Sequence, residues 1–124
     1  MIAFTHFGKF AARSTIAALT LMIAATQALA ASGSFRGVEG ERVSGTATVK
    51  NGKVVLSSSF RSTSGPDLYV YLGNSKPSRI VARLRKLSGS QTYSLPKNIN
   101  LANYSAVYIH CKRYNHTYGK ASLR

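Results

Sequence analysis

Residues 43–60, VSGTATVKNGKVVLSSSF, decide the fold. At their centre, Asn51-Gly52 is the strongest two-residue hairpin signal, because both residue types tolerate the positive φ of a type I′ turn. A turn there sets Lys50 against Lys53, Val49 against Val54, Ala47 against Leu56 and Val43 against Phe60. Those pairs share one apolar face. Ser44, Thr46, Thr48, Lys50, Lys53, Val55, Ser57 and Ser59 fall on the other. One face is therefore buried and one is wet, as in an antiparallel sheet.

The same period of two recurs outward from this hairpin. Residues 67–72 (DLYVYL) follow a Ser64-Gly65-Pro66 turn, with Leu68, Val70 and Leu72 alternating against Tyr69 and Tyr71. Side chains of this kind on both faces suit a central strand. Residues 79–87 (RIVARLRKL) fit either a strand, with Ile80, Ala82 and Leu84 inward, or a helix through Ile80, Leu84 and Leu87. The β-rich surroundings favour the strand. Residues 91–95, 106–113 and 118–123 complete the series. Turn signals every 8 to 15 residues and the lack of a convincing helix predict an all-β chain, a single antiparallel β-sandwich or partly open barrel.

Residues 1–30 read as a secretory signal peptide. Lys9 and Arg13 supply the positive region, residues 15–25 an apolar run, and Ala28-Leu29-Ala30 a small-x-small cleavage site. The run is shorter than the roughly 20 residues a bilayer span needs, so no transmembrane anchor is expected in the mature chain. With no cysteine near the cleavage site, a lipoprotein anchor is not expected either. The remaining domain, residues 31–124, suits one small core, with residues 31–33 as a short flexible lead-in. A soluble periplasmic or secreted protein is the expectation.

The full chain carries a formal net charge of +14. Loss of Lys9 and Arg13 leaves 15 Lys and Arg against Glu39, Glu41 and Asp67, a net of +12. Outside the cell such a surface faces envelope polymers, lipid head groups or an acidic protein rather than nucleic acid. Arg79, Arg83, Arg85 and Lys86 form the most concentrated basic face.

Cys111 is the only cysteine, so no internal disulfide can form. Strand parity places it in the apolar row Val107, Ile109, Cys111, with Tyr108 and His110 on the opposite side. Two roles stay open. A small buried hydrophobe is one; a reactive thiol at the sheet rim, favoured as thiolate by Lys112 and Arg113, is the other. A copper-type set of Cys111 and His116 would need a further ligand, but residues 31–124 hold no methionine and His110 faces away. No metal site and no cofactor are therefore expected, although non-covalent haem or copper ligation by Cys111 stays open. Three acids and no nucleophile motif argue against hydrolysis. After Pro66, Asp67 suits either a turn-closing acceptor or a place near the thiol.

Taken in order, Ser44-Gly45-Thr46, Gly65-Pro66-Asp67-Leu68-Tyr69, Tyr93-Ser94-Leu95-Pro96, Ile109-His110-Cys111 and residues 118–123 (YGKASL) resemble the DM-thirteen domain, the electron transfer DM family. The resemblance covers roughly residues 33–123. It implies an all-β extracytoplasmic module built around one motif cysteine, here Cys111, with Asp67 in the Gly-Pro-Asp position. On the sequence itself, His110, Arg113 and His116 are further candidate neighbours of the thiol. Larger members place this domain beside DOMON and cytochrome b-type domains, so the resemblance implies a redox role. This chain has no such domain, and any redox partner protein would be separate. The alternative is a non-catalytic binding module whose basic face meets an acidic partner or an anionic envelope polymer. Either is an electron-transfer or binding module rather than an enzyme.

Overall fold

The computed structural model describes residues 30–124; almost all of the expected signal peptide lies outside them. Ten strands follow in order: β1 (Ala31–Gly37), β2 (Val43–Ser44), β3 (Thr46–Lys50), β4 (Lys53–Leu56), β5 (Arg61–Ser62), β6 (Leu68–Gly73), β7 (Pro77–Arg83), β8 (Gln91–Ser94), β9 (Ala106–Cys111) and β10 (His116–Ser122). A 3-10 turn, Leu101–Asn103, precedes β9. Eight strands make one antiparallel sheet in the order β7-β6-β9-β10-β1-β3-β4-β8, and β2 and β5 pair separately. The chain is thus all-β, and of the two architectures expected it takes the partly open barrel.

The decisive hairpin forms as its residues dictate. Asn51 and Gly52 both have positive φ, 50° and 73°. The ladder pairs Lys50 with Lys53, Val49 with Val54 and Ala47 with Leu56. Beyond Ala47 the register departs from the simple extrapolation. Val43 pairs with Ser62 instead of Phe60, because a turn closed from Phe60 N–H to the Ser57 carbonyl inserts two residues. Two residues are one full period of a strand, so Val43 and Phe60 still face the core.

Every strand of the large sheet feeds one interior. Val49, Val54, Leu56, Val70, Leu72, Tyr93, Val107, Ile109 and Ala121 are all buried in a single cluster. The edge strands β7 and β8 lie at the two ends of the sheet, and the chain between them covers the seam. Leu87 accepts from Ser62 N–H, Gly89 N–H donates to Phe60, and Arg85 N–H donates to the Tyr93 hydroxyl.

Two expectations are corrected. Residues 31–33 are part of strand β1, not a flexible lead-in: Ala31 to Ser34 pair with β3, and Phe35 to Gly37 with β10. Phe35 anchors the strand in the core. Gly33 is required because a Cβ there would lie 1.9 Å from the Ser122 carbonyl oxygen. Second, residues 79–83 are strand, but Ile80 is exposed rather than inward. Val70 pairs with Ala82 and Tyr71 with Ile80, so Val81 is an extra residue in a bulge. That insertion reverses the parity of everything before it and turns Ile80 to the outer face.

Gly33→Ala is expected to lower stability by about 1–3 kcal/mol, since the added methyl must push β1 off β10. Urea denaturation of the variant beside the native chain checks this, and an unchanged midpoint would mean that β1 is not docked as described.

Candidate functional site

Cys111 ends β9 at one pole of the barrel. Its cross-strand partners are Leu68 on β6 and His116 on β10. The thiol is 1 % exposed and belongs to the inner row with Val107 and Ile109. Of the two placements open to it, the structure takes the buried one, as parity alone implies. A thiol at the rim reachable from solvent is not what the fold builds. Arg113 does not continue the Cys111 face, because the strand ends at Cys111 and residues 112–115 turn back as a hairpin. Arg113 is exposed on that turn.

The bulge in β10 aims a second side chain at this pole. Thr117 pairs with His110 and Gly119 with Ile109, leaving Tyr118 as the extra residue. Tyr118 and Gly119 consequently both face inward. Gly119 makes this affordable sterically, since a Cβ on it would lie 2.6 Å from that of Val43. The buried Tyr118 ring packs edge-on against His116 with centroids 5.3 Å apart. Its hydroxyl donates to the Ser64 carbonyl at 3.5 Å, and Gly65 leaves the room for it, a Cβ there lying 2.6 Å from the phenol oxygen. Burial pushes the Tyr118 phenol above its ordinary 10.0, with Glu41 and Cys111 adding to the rise.

His116 is clamped by two carboxylates. Its Nε2 lies 2.9 Å from Glu41 Oε2 and its Nδ1 3.4 Å from Glu39 Oε1. A tight turn presents both acids together: Glu39 and Gly40 have φ of 53° and 85°, and Glu41 N–H donates back to the Val38 carbonyl. Glu39 Oε2 also accepts from Thr117 N–H, and Glu41 Oε1 from the Thr63 hydroxyl. These acids read from the sequence as surface residues beside glycines. No local signal links them to His116, which lies 75 residues beyond Glu41.

His110 sits on the outer face, opposite Cys111, as its parity implies. It is nevertheless buried, with its ring edge-on to Tyr71 at 5.0 Å. The Asn115 amide oxygen accepts from Nε2–H at 3.1 Å, leaving Nδ1 to accept from the Thr117 hydroxyl at 2.9 Å. The imidazole therefore ties β9 to the hairpin turn in its neutral form. Loss of hydration on burial lowers its pKa below the ordinary 6.5, against a smaller opposing effect of the Asn115 bond.

Asp67 does not close its own turn with its carboxylate. That group binds Arg83 at 3.1 Å, while its backbone carbonyl accepts from Lys112 N–H beside Cys111. Arg83 also lies over the Tyr69 ring, 4.7 Å from its centroid, and donates to its hydroxyl. Arg79, Arg83, Arg85 and Lys86 are all exposed, but they do not share one flat face. Arg85 folds over the Tyr93 ring at 4.3 Å on the β8 side, and Arg83, Arg85 and Lys86 line a groove of about 210 Å³ along the seam.

The arrangement is a buried thiol, a buried phenol and a half-buried imidazole with its carboxylates, running from core to surface at one pole. Among the described residues no group of three or more His, Cys, Asp or Glu is placed to hold a metal ion, and no helix is long and apolar enough to cross a membrane. The family model described as Electron transfer DM13 matches residues 34–123. The chain belongs to that family. No curated protein and no solved structure matches it. The matched residues take in every group at the Cys111 pole, from Glu39 to Tyr118, and the Electron transfer DM13 domain here is the barrel itself.

Stability should depend on His110. The folded chain keeps it neutral at a pH where the unfolded chain already protonates it. Its contribution is complete above 6.5 and is lost as pH falls through that value toward the lowered folded pKa. Chemical denaturation between pH 8 and pH 5 is expected to show a loss that His110→Gln diminishes. The same pH dependence in both proteins would remove His110 as its source.

Proposed function

We propose that this chain is an exported electron-transfer module in which Cys111 is the redox group and a separate protein is the partner. The observation that carries the proposal is the position of the sole thiol in an electron-transfer family: sealed in the core, yet one strand away from His116. A thiol sealed in this way is shielded from solution disulfide exchange, which requires direct attack on sulfur. An electron can still pass through a thin wall of protein. Oxidation of the thiol releases one electron to the partner's one-electron oxidant and one proton, which leaves toward water past the half-buried His116 imidazole, the cross-strand neighbour of Cys111. The family name supports the electron-transfer class; the apolar run and Ala28-Leu29-Ala30 site support export.

A thiol reagent is expected to leave native Cys111 unmodified while a small one-electron oxidant such as hexachloroiridate(IV) draws about one electron per chain, followed by stopped-flow absorbance. Cys111→Ser should abolish that uptake while the circular dichroism of the barrel is retained. Undiminished uptake by the folded serine variant would sink the role of the thiol. The export half stands separately. Intact-mass measurement of protein recovered outside the cytoplasm should show a chain beginning near Ala31, and a mass retaining residues 1–30 would count against it.

A further inference from the structure

The seam groove adjoins the wall behind Cys111. In the sheet Cys111 has a ladder neighbour on each side, His116 on β10 and Leu68 on β6. Leu68 is buried, yet it lines the groove of about 210 Å³ that lies between residues 65–68 and residues 83–87. Gly65 keeps that wall thin. A Cβ on it would lie 3.0 Å from Leu68 Cδ2, and the glycine puts nothing there. Directly paired residues of neighbouring strands stand side by side on one face. The residue beside the thiol is therefore also a wall of a space that a partner can enter. Pro66 and Leu87, the latter 43 % exposed, give the groove an apolar centre.

Charge decides what that partner presents. Arg83, Arg85 and Lys86 line the groove, and Lys112 stands beside them, its ammonium over the same Tyr69 ring that Arg83 covers. One carboxylate lies among them, Asp67, and Arg83 holds it at 3.1 Å. Among the described residues Arg85, Lys86 and Lys112 form no ion pair. Glu41, across Thr63, faces His116 and lines a separate cavity with Arg42 and Arg61, whose charge exceeds its own. Glu39 lies against the same imidazole and lines another cavity with Arg36, Lys76 and Lys120. The terminal carboxylate belongs to Arg124, whose backbone pairs with Ser32 on β1, away from the groove. Net positive charge around a small apolar centre suits a brief encounter, since charge speeds approach and a small contact allows release. We propose that the redox partner docks an acidic projection of its surface in this groove and takes the Cys111 electron through Leu68. The inference rests on the redox role of Cys111 proposed above and adds the face that the partner uses. The ladder neighbours then divide the products of oxidation. The electron leaves on the β6 side to the partner's one-electron oxidant, and the proton on the β10 side past His116. A concave site admits a protruding protein segment and excludes a flat lipid surface.

Two anionic probes of the purified protein test this. Hexacyanochromate(III), a redox-inert paramagnetic anion, should broaden the amide resonances of Leu68 and residues 84–87 most, and the cation hexaamminechromium(III) should leave them sharp. Lys86→Glu combined with Lys112→Glu should remove that broadening and slow electron uptake by hexachloroiridate(IV) about tenfold at low salt. Lys50→Glu combined with Lys53→Glu changes the net charge equally at the β3–β4 turn, and should leave both readouts nearly unchanged. All four lysines are exposed, so the barrel should survive each pair, which circular dichroism checks. Broadening centred elsewhere, broadening that survives the Lys86 and Lys112 substitutions, or equal slowing by the two pairs overturns the proposal. Binding to phosphatidylglycerol vesicles that the Lys86 and Lys112 substitutions abolish would assign the groove to a lipid surface and overturn it too. If Cys111→Ser leaves electron uptake undiminished, the redox role fails by itself, and the hexacyanochromate map still decides where an anionic surface docks.

Discussion

A single sheet that curls on itself must fill its interior from one face, and everything else in this protein is arranged around that requirement. Each strand contributes its inward residues to one cluster, so a bulky side chain anywhere along the closure must find its space among all the others. The chain meets this with glycines where backbones cross. Gly33 lies against Ser122 and Gly119 against Val43, each at a distance that admits no Cβ. The reward is a core that holds the domain without a disulfide, which a chain with one cysteine cannot form. Near-complete closure also limits exposed edges to β7 and β8, and the segment between them carries Arg85 and Lys86 across the gap.

The same closure gives the barrel two unlike poles. At one end the β-strand ladders bring Cys111, Tyr118 and His116 together, and the Glu39-Gly40 turn delivers two carboxylates to the imidazole. All three acids of the described residues lie there, Asp67 paired with Arg83 and both glutamates against the His116 ring. At the other end Leu101, Tyr104 and Leu123 line a shallow apolar hollow floored by the buried Leu72. A molecule with so few acids has little freedom in its field.

Buried polar groups in this chain are satisfied rather than tolerated. Gln91 bonds the backbone of Lys86 on both sides of its amide and meets the Tyr93 hydroxyl. His110 has a partner on each ring nitrogen. No buried side-chain nitrogen or oxygen among the described residues lacks a partner, as the desolvation cost of an unpaired group requires. The family match and the Cys111 pole point the same way, but they rest on different facts. The match concerns the chain over residues 34–123, whereas the proximity of thiol, phenol and imidazole is geometry.

Much of this was legible in the sequence because it is local. Asn51-Gly52 sets its own turn by the φ both residues accept, and period-two alternation decides which side of a strand Val107, Ile109 and Cys111 share. The inward direction of Cys111 and the outward direction of His110 follow from that parity; that the thiol is sealed in rather than reachable at the rim does not, because closure of the pole over the strand end decides it. Strand β1 escaped notice because Ala31, Ser32, Gly33 and Ser34 carry no apolar alternation; their pairing is made by the strands on either side. Bulges at Val81 and Tyr118 were equally invisible, since an extra residue is a property of two paired strands and not of either alone. The meeting of Glu39 and Glu41 with His116 depends on closing the chain over more than 70 residues. Local conformational preference acts within a few residues, so sequence alone determined the Asn51-Gly52 hairpin and the faces of the regular strands β3, β4, β6 and β9. Which distant side chains would meet at each pole was decided only by the register and closure of the whole sheet.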